Sequence, residues 1–184
     1  MFMKRVYILL ASGFEEVEAL TPADVLRRAG LEVFLVSTTG APYVQGSHHI
    51  VVKTDCFLDD VRAEEAAMLL LPGGLPGTTN LAAHEKVKQL IRHFHESHKW
   101  LAAICAAPMV LGEMRLLEGR RATCYPGFEK HLHGAQYVEE PAVCDGRIIT
   151  GRGVGAAMAF SLELVRQLID EATALELKKK MVVA

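Results

Sequence analysis

The chain has 184 residues, 51% of them hydrophobic, and a formal net charge of −2 from 20 basic and 22 acidic side chains. That length supports one full-sized core, and the interspersed charges exclude the basic footprint of a nucleic-acid binder or a membrane-surface patch. Cys56, Cys105, Cys124 and Cys144 lie far apart with no CxxC pair, which excludes a zinc cluster or disulfide framework and suits a reducing cytoplasm.

Met1-Phe2-Met3-Lys4-Arg5 precedes only about five apolar residues, too few for a signal-peptide core, and no run approaches the ~20 residues of a membrane span. A single cytoplasmic domain over residues 1–184 is expected. Val6 to Leu10 is a continuous apolar run and predicts a central parallel strand buried on both faces. A helix is expected from Phe14 to Arg28, stopped by Gly30, with Glu15, Glu16 and Glu18 in its first turn where the helix dipole favours acids.

Leu31 to Ser37 predicts a second strand, and Tyr43 to Gln45 with Ile50 to Lys53 a small hairpin among Gly40, Pro42 and Gly46. A helical turn is expected at Phe57 to Val61 and a third core strand at Ala66 to Leu71. The following Pro72-Gly73-Gly74-Leu75-Pro76-Gly77 lets backbone N–H groups approach a ligand, although it matches neither GxxxxGK[ST] nor GxGxxG. Thr78 to Ser97 reads as one helix, on which His93 and His95, with His98 just beyond, lack the i, i+4 spacing of metal ligands and read as surface histidines.

Trp100 to Gly112 changes structural type at one residue. Leu101 to Ile104 reads as a buried strand, whereas Ala106 onward favours helix, with Pro108 tolerated only in a first turn. Cys105 thus sits at a strand-to-helix corner, where unpaired N–H groups and the helix dipole favour thiolate. Taken alone, a cysteine in such an apolar run reads first as a small buried hydrophobe, and the rest of the chain must decide.

Further on, a strand is expected at Arg121 to Cys124 and a short helix at Phe128 to His131. Asp145-Gly146 marks a hairpin between Ala142 to Asp145 and Arg147 to Thr150. Gly151-Arg152-Gly153-Val154-Gly155 leads into a helix over Ala156 to Ile169, and Glu171 to Lys180 adds a last one. This alternation predicts an open, mostly parallel α/β sheet, whose ligand edge would gather the loops starting at Ser12, Pro72, Cys105, Cys124 and Gly151.

Those segments resemble the ThiJ/PfpI superfamily, and within it the DJ-one (YajL-like) branch. The resemblance rests on Gly13-Phe14-Glu15-Glu16-Val17-Glu18, Pro22 to Gly30, Leu71-Pro72-Gly73-Gly74, Ala102 to Pro108 and Thr150 to Gly155, in that order. It implies a flavodoxin-like (class I glutamine amidotransferase-like) three-layer sandwich, a homodimer, and a reactive cysteine at a strained elbow, matched by Cys105. Glu18 matches an acid that stays protonated and hydrogen-bonds the thiolate; Gly74 and Ala106 match the backbone donors of an oxyanion pocket.

Gly73, His48, Tyr125 and Arg152 are weaker candidates for substrate or anion binding, each with an ordinary turn or surface role as its alternative. His48 matches an arginine that in relatives reaches the partner's site. The resemblance places Arg28 at the dimer interface, while Asp24 at i, i+4 offers it a plain helix pair.

Two departures bear on function. The protease-like branch has histidine immediately after its cysteine, where this chain has Ala106. Several relatives have histidine before the proline matched by Pro126, where this chain has Tyr125. The expectation is therefore a glyoxalase or deglycase-type enzyme acting on small α-oxoaldehydes or glycated thiols and amines, needing no metal or other cofactor. The alternative is a redox-sensing chaperone whose Cys105 is oxidised to sulfinate, and a PfpI-type peptidase stands third.

Overall fold

A computed structural model describes residues 4–184; Met1 to Met3, part of the stretch read as too short for a signal-peptide core, fall outside the described residues. Strands β1 (Arg5–Leu10), β2 (Glu32–Ser37), β5 (Cys56–Phe57), β6 (Ala66–Leu71), β7 (Trp100–Ile104), β10 (Ala142–Asp145) and β11 (Ile148–Gly151) form one sheet in the order β10-β11-β7-β6-β1-β2-β5. All neighbours are parallel except the antiparallel β10–β11 hairpin. After β5 the chain returns across β2 and β1 to form β6, so the topological switch lies between β1 and β6, where such sheets bind ligands.

The unbroken apolar runs follow from burial on both faces. Val6, Ile8 and Leu10 face one layer, built by α1 (Glu16–Arg28), α5 (Ala157–Leu168) and α6 (Glu171–Lys180). Tyr7 and Leu9 face the other, built by α2 (Gly77–Ala83), α3 (Glu85–Glu96) and α4 (Pro108–Glu113). The result is the expected flavodoxin-like three-layer sandwich. Two two-stranded sheets, β3 (Tyr43–Gln45) with β4 (Val51–Lys53) and β8 (Arg121–Ala122) with β9 (Gln136–Tyr137), decorate it.

Several boundaries differ from the sequence reading. The helix expected over residues 78–97 divides at His84, which adopts extended backbone (φ −86°, ψ 109°) and caps α3. Phe14 is not helical; it is fully buried, and α1 begins at Glu16. Phe57 belongs to the two-residue strand β5, leaving only Leu58–Asp60 as the helical turn. The strand expected at Arg121 to Cys124 covers Arg121–Ala122 alone, because Thr123 N–H instead donates to the Thr150 hydroxyl (2.9 Å). No helix among the described residues is long and apolar enough to cross a membrane.

Candidate active site

The carboxyl ends of β1, β6, β7 and β11 meet at Cys105. Its backbone lies in the left-handed region (φ +66°), uncommon for a side-chain-bearing residue. Three backbone hydrogen bonds hold it there: Cys105 N–H donates to Gly151 O (2.9 Å), Tyr125 N–H to Cys105 O (2.8 Å), and Ala107 N–H to Ile104 O (3.0 Å). Neighbouring strand ends and loops therefore fix the elbow. Cys105 remains half-buried, with its side chain free of any disulfide.

Glu18 enters from α1 with no exposed surface. Gly73 N–H donates to its Oε2 (2.9 Å), while Oε1 is buried without a hydrogen-bond partner. A Cβ at Gly73 would stand 2.5 Å from Glu18 Oε2 and 2.7 Å from Cys105 Cβ, so only glycine lets the loop after β6 pass between them. Gly74 (φ +87°) is equally constrained: a side chain there would run into the Glu15 backbone.

Burial pushes the Glu18 carboxyl up to about 7; contact with the Cys105 thiol and the Gly73 N–H oppose this, and the Glu15 charge adds to it. Burial, followed by the Glu18 carboxylate, likewise drives the Cys105 thiol well above the usual thiol range, against the pull of the Ala106 and Gly74 N–H groups. The helix N-terminus that favours a thiolate is therefore opposed first by burial and then by the Glu18 charge. Two adjacent buried acids cannot both ionise cheaply, so a thiolate forms here only where Glu18 holds its proton and can donate it.

The structure thus brings together Cys105, Glu18, Gly73, Gly74 and Ala106. Tyr125 and Arg152 lie to one side, with Pro126, Glu139, Pro141 and Val154 around an open cavity of about 500 Å³. Cys105 does not line this cavity, although its carbonyl accepts a bond from the N–H of Tyr125, which does. Arg152 is paired with Glu139 (3.0 Å), so it is not a free anion site. Arg28 lies exposed on α1 and pairs with Asp24 (2.6 Å), realising the i, i+4 alternative within the chain.

His48 does not approach the thiol in this chain. Its Nδ1 stands 2.9 Å from Glu16 Oε2 and 3.1 Å from Glu15 Oε2, and its N–H donates to Glu16 Oε1 (2.8 Å). Ser47 Oγ donates to Glu15 Oε2 (3.1 Å), and Ile50 N–H adds a longer bond to Glu16 (3.3 Å). Burial alone would raise the Glu16 carboxyl, but the His48 bond and these N–H donors outweigh it and hold Glu16 below its ordinary range. His48 is correspondingly raised, first by the bond to Glu16 and then by the Glu15 charge.

Sequence reading missed this cluster because acids in a first turn are explained by the dipole. Instead each carboxylate leaves the helix for another element. The signal was Gly46: any side chain there would collide with the Glu16 carboxylate. Glu15, Glu16 and His48 are also, among the described residues, a group whose ligand atoms converge closely enough (within 4.8 Å) for a metal ion.

Comparison with known proteins agrees with this architecture. Residues 4–167 match the model of the DJ-1/PfpI family. Protein DJ-1 homolog B of Arabidopsis thaliana is 38% identical over 97% of the chain, which spans only 41% of that longer protein. A deglycase of Pyrococcus abyssi is 32% identical, with 89% of this chain covering 99% of it. The solved structure of oxidized DJ-1 from Toxoplasma gondii superposes with a TM-score of 0.94 at 30% identity, covering 98% of this chain and 99% of that one.

Proposed function

The chain belongs to the DJ-1/PfpI family, and from that membership and the geometry at Cys105 we propose that it is a cysteine-dependent enzyme acting on reactive carbonyls, of the glyoxalase or deglycase type. One observation supports this above the others: a half-buried thiol on a left-handed elbow faces a fully buried carboxyl, with two backbone N–H groups bearing on the sulfur. That set supplies a nucleophile, a proton carrier and oxyanion donors in one place.

For an α-oxoaldehyde such as methylglyoxal, the sulfur adds to the aldehyde carbon and the new alkoxide accepts hydrogen bonds from Gly74 and Ala106 N–H. The alkoxide takes the Glu18 proton, and the resulting carboxylate removes the carbinol C–H proton. Reprotonation at the neighbouring carbon turns the enediol into a lactoyl thioester, with no net oxidation. Water then releases lactate and restores the thiol. Glu18 alternates between acid and base, which a carboxyl held near neutrality does efficiently. The same addition reaches glycated thiols and amines, consistent with the name of the Pyrococcus relative.

The working unit in this reading is a cytoplasmic homodimer, with Arg28 at its interface. Peptide hydrolysis is less well supported, because neither Ala106 nor Tyr125 supplies the imidazole a cysteine peptidase needs, and His48 is engaged with Glu16. A redox role is favoured by one specific finding, the oxidized form of the Toxoplasma relative. A partly exposed thiol beside a proton donor suits peroxide oxidation to sulfinate as well as carbonyl addition.

Lactate formation from methylglyoxal, followed with the native chain and with Cys105→Ser, tests the enzymatic reading. Turnover at least about 100-fold above the variant is expected. Equal turnover would overturn it. Intact mass after mild peroxide tests the redox reading: a gain of two oxygens confined to Cys105 supports it, and no gain contradicts it.

A further inference from the structure

We infer that the cavity beside the elbow, walled by Tyr125, Pro126, Pro141, Val154 and Ala159, is a subsite for an uncharged aromatic substituent on the carbonyl substrate. The inference deepens the proposed function and rests on it for the reaction. It concerns a surface that attack by Cys105 does not itself require.

Sheet order sets the geometry. β7 lies between β6 and β11, so the elbow at its end has the Gly73-Gly74 loop on one side and the segment from Gly151 on the other. Glu18 is held from the first side, by Gly73 N–H. The cavity lies on the second. It is lined by Tyr125, whose N–H donates to Cys105 O, and by Gly153, two residues past the Gly151 carbonyl that accepts from Cys105 N–H. A carbonyl carbon bonded to the sulfur, with its oxygen turned toward the Gly74 and Ala106 N–H groups, has room for its other substituent on the β11 side.

The size and walls of the cavity define that substituent. Its volume of about 500 Å³ falls in the range of small-molecule sites and far exceeds what the methyl group of methylglyoxal fills. Tyr125 and Val154 are 48% and 46% exposed, an apolar pair whose cover would be favourable. The Tyr125 ring is seated from two directions. Phe128 meets it edge to face, with centroids 6.4 Å apart, and a Cβ at Gly153 would stand only 3.2 Å from its Cδ2, so glycine lets the ring lie against the chain. A ring already held in place favours a second ring beside it.

Charge decides against an anion. The charged lining residues, Arg152 and Glu139, pair with each other (3.0 Å), and their charges cancel. A carboxylate entering the cavity would lose water without gaining a free cation, whereas a neutral ring has no such cost.

Acetophenone, which carries the ring and a ketone but no aldehyde, probes the cavity without turnover. In chain with ¹³C-labelled alanine methyls it is expected to shift the Ala156 and Ala159 signals saturably. Acetone, with a methyl in place of the ring, should leave them unmoved, and 4-carboxyacetophenone should bind at least about tenfold more weakly. Two variants place a charge among the apolar walls. Ala159→Asp falls in the first turn of α5, where the helix dipole suits an acid, and Val154→Asp alters an exposed residue, so both keep the fold. In each, the ratio of kcat/KM for phenylglyoxal to that for methylglyoxal is expected to fall about tenfold or more, a comparison in which the aldehydes' own reactivities cancel.

No saturable shift with acetophenone, an equal shift with acetone, or tighter binding of the carboxylate overturns the inference. So does an unchanged ratio in the folded variants. Should neither variant fold, the contrast between acetophenone and acetone in the native chain decides alone. Absence of turnover with both aldehydes would refute the proposed function and leave the alanine signals to decide the subsite.

Discussion

Glu16 and Glu18 stand two residues apart on one helix, both almost completely buried, and their proton affinities move in opposite directions. Glu16 has a histidine and two backbone N–H donors, and these overcome the cost of burying its charge. Glu18 has one N–H donor, an oxygen without a partner, and a half-buried thiol for a neighbour. The helix delivers both carboxyls, and the loops they meet assign their tasks. Glu16 ties the β3–β4 hairpin to the sheet edge, and Glu18 is left able to carry a proton.

The comparison breaks most visibly in the two amide variants. Glu18→Gln is expected to lower carbonyl turnover by about 100-fold or more, the usual scale of lost acid–base catalysis, in the lactate assay. Glu16→Gln is expected to change turnover less than threefold while lowering stability by about 1–3 kcal/mol, read from urea unfolding, since it weakens a buried charge-assisted network. Equal losses of turnover in the two would erase the distinction.

Stability against pH separates them next. Glu18 binds its proton more tightly folded than unfolded, so its contribution is full below about 4.5 and is lost as pH rises toward about 7, on the order of 3 kcal/mol in all. Glu16 runs the other way: its contribution is present above its unfolded value of 4.5 and fades as pH falls through its lowered folded value. Urea titrations between pH 5 and 7 should therefore show a downward slope from this group that Glu18→Gln removes and Glu16→Gln retains.

Gly46→Ala should act as a copy of Glu16→Gln, displacing that carboxylate and costing a similar amount of about 1–3 kcal/mol by the same assay. Arg28→Ala is the smallest expected change. Its pair with Asp24 is exposed on both sides and screened by solvent, and monomer stability should be essentially unchanged. A larger effect confined to the sedimentation-measured dimer would locate Arg28 at the interface.

The difference between these acids also marks how far the sequence could be read. Cys105 and the β7 elbow were legible because a buried strand, a lone thiol and a proline-led helix follow one another directly, and the Gly73-Gly74 turn is local as well. The partners of Glu15 and Glu16 were not, because they lie about 30 residues away on a hairpin whose placement depends on tertiary packing. Short pieces such as β5, two residues long, carry no periodicity to read. The break at His84 likewise overrode a pattern whose apolar residues suit one continuous helix.

What opposes a thiolate at Cys105 was not legible for a related reason. Helix dipoles are visible in a sequence, whereas the cost of placing a second acid against a buried thiol appears only once α1 is docked beside the elbow.

The proton held by Glu18 is observed most directly by isotope-edited infrared spectroscopy of the native chain. A carboxylic acid band that is present at pH 6, titrates with a midpoint near 7 and is absent from Glu18→Gln is the predicted result. A Glu18 carboxyl already ionised at pH 6, with a midpoint near 4.5, would contradict it.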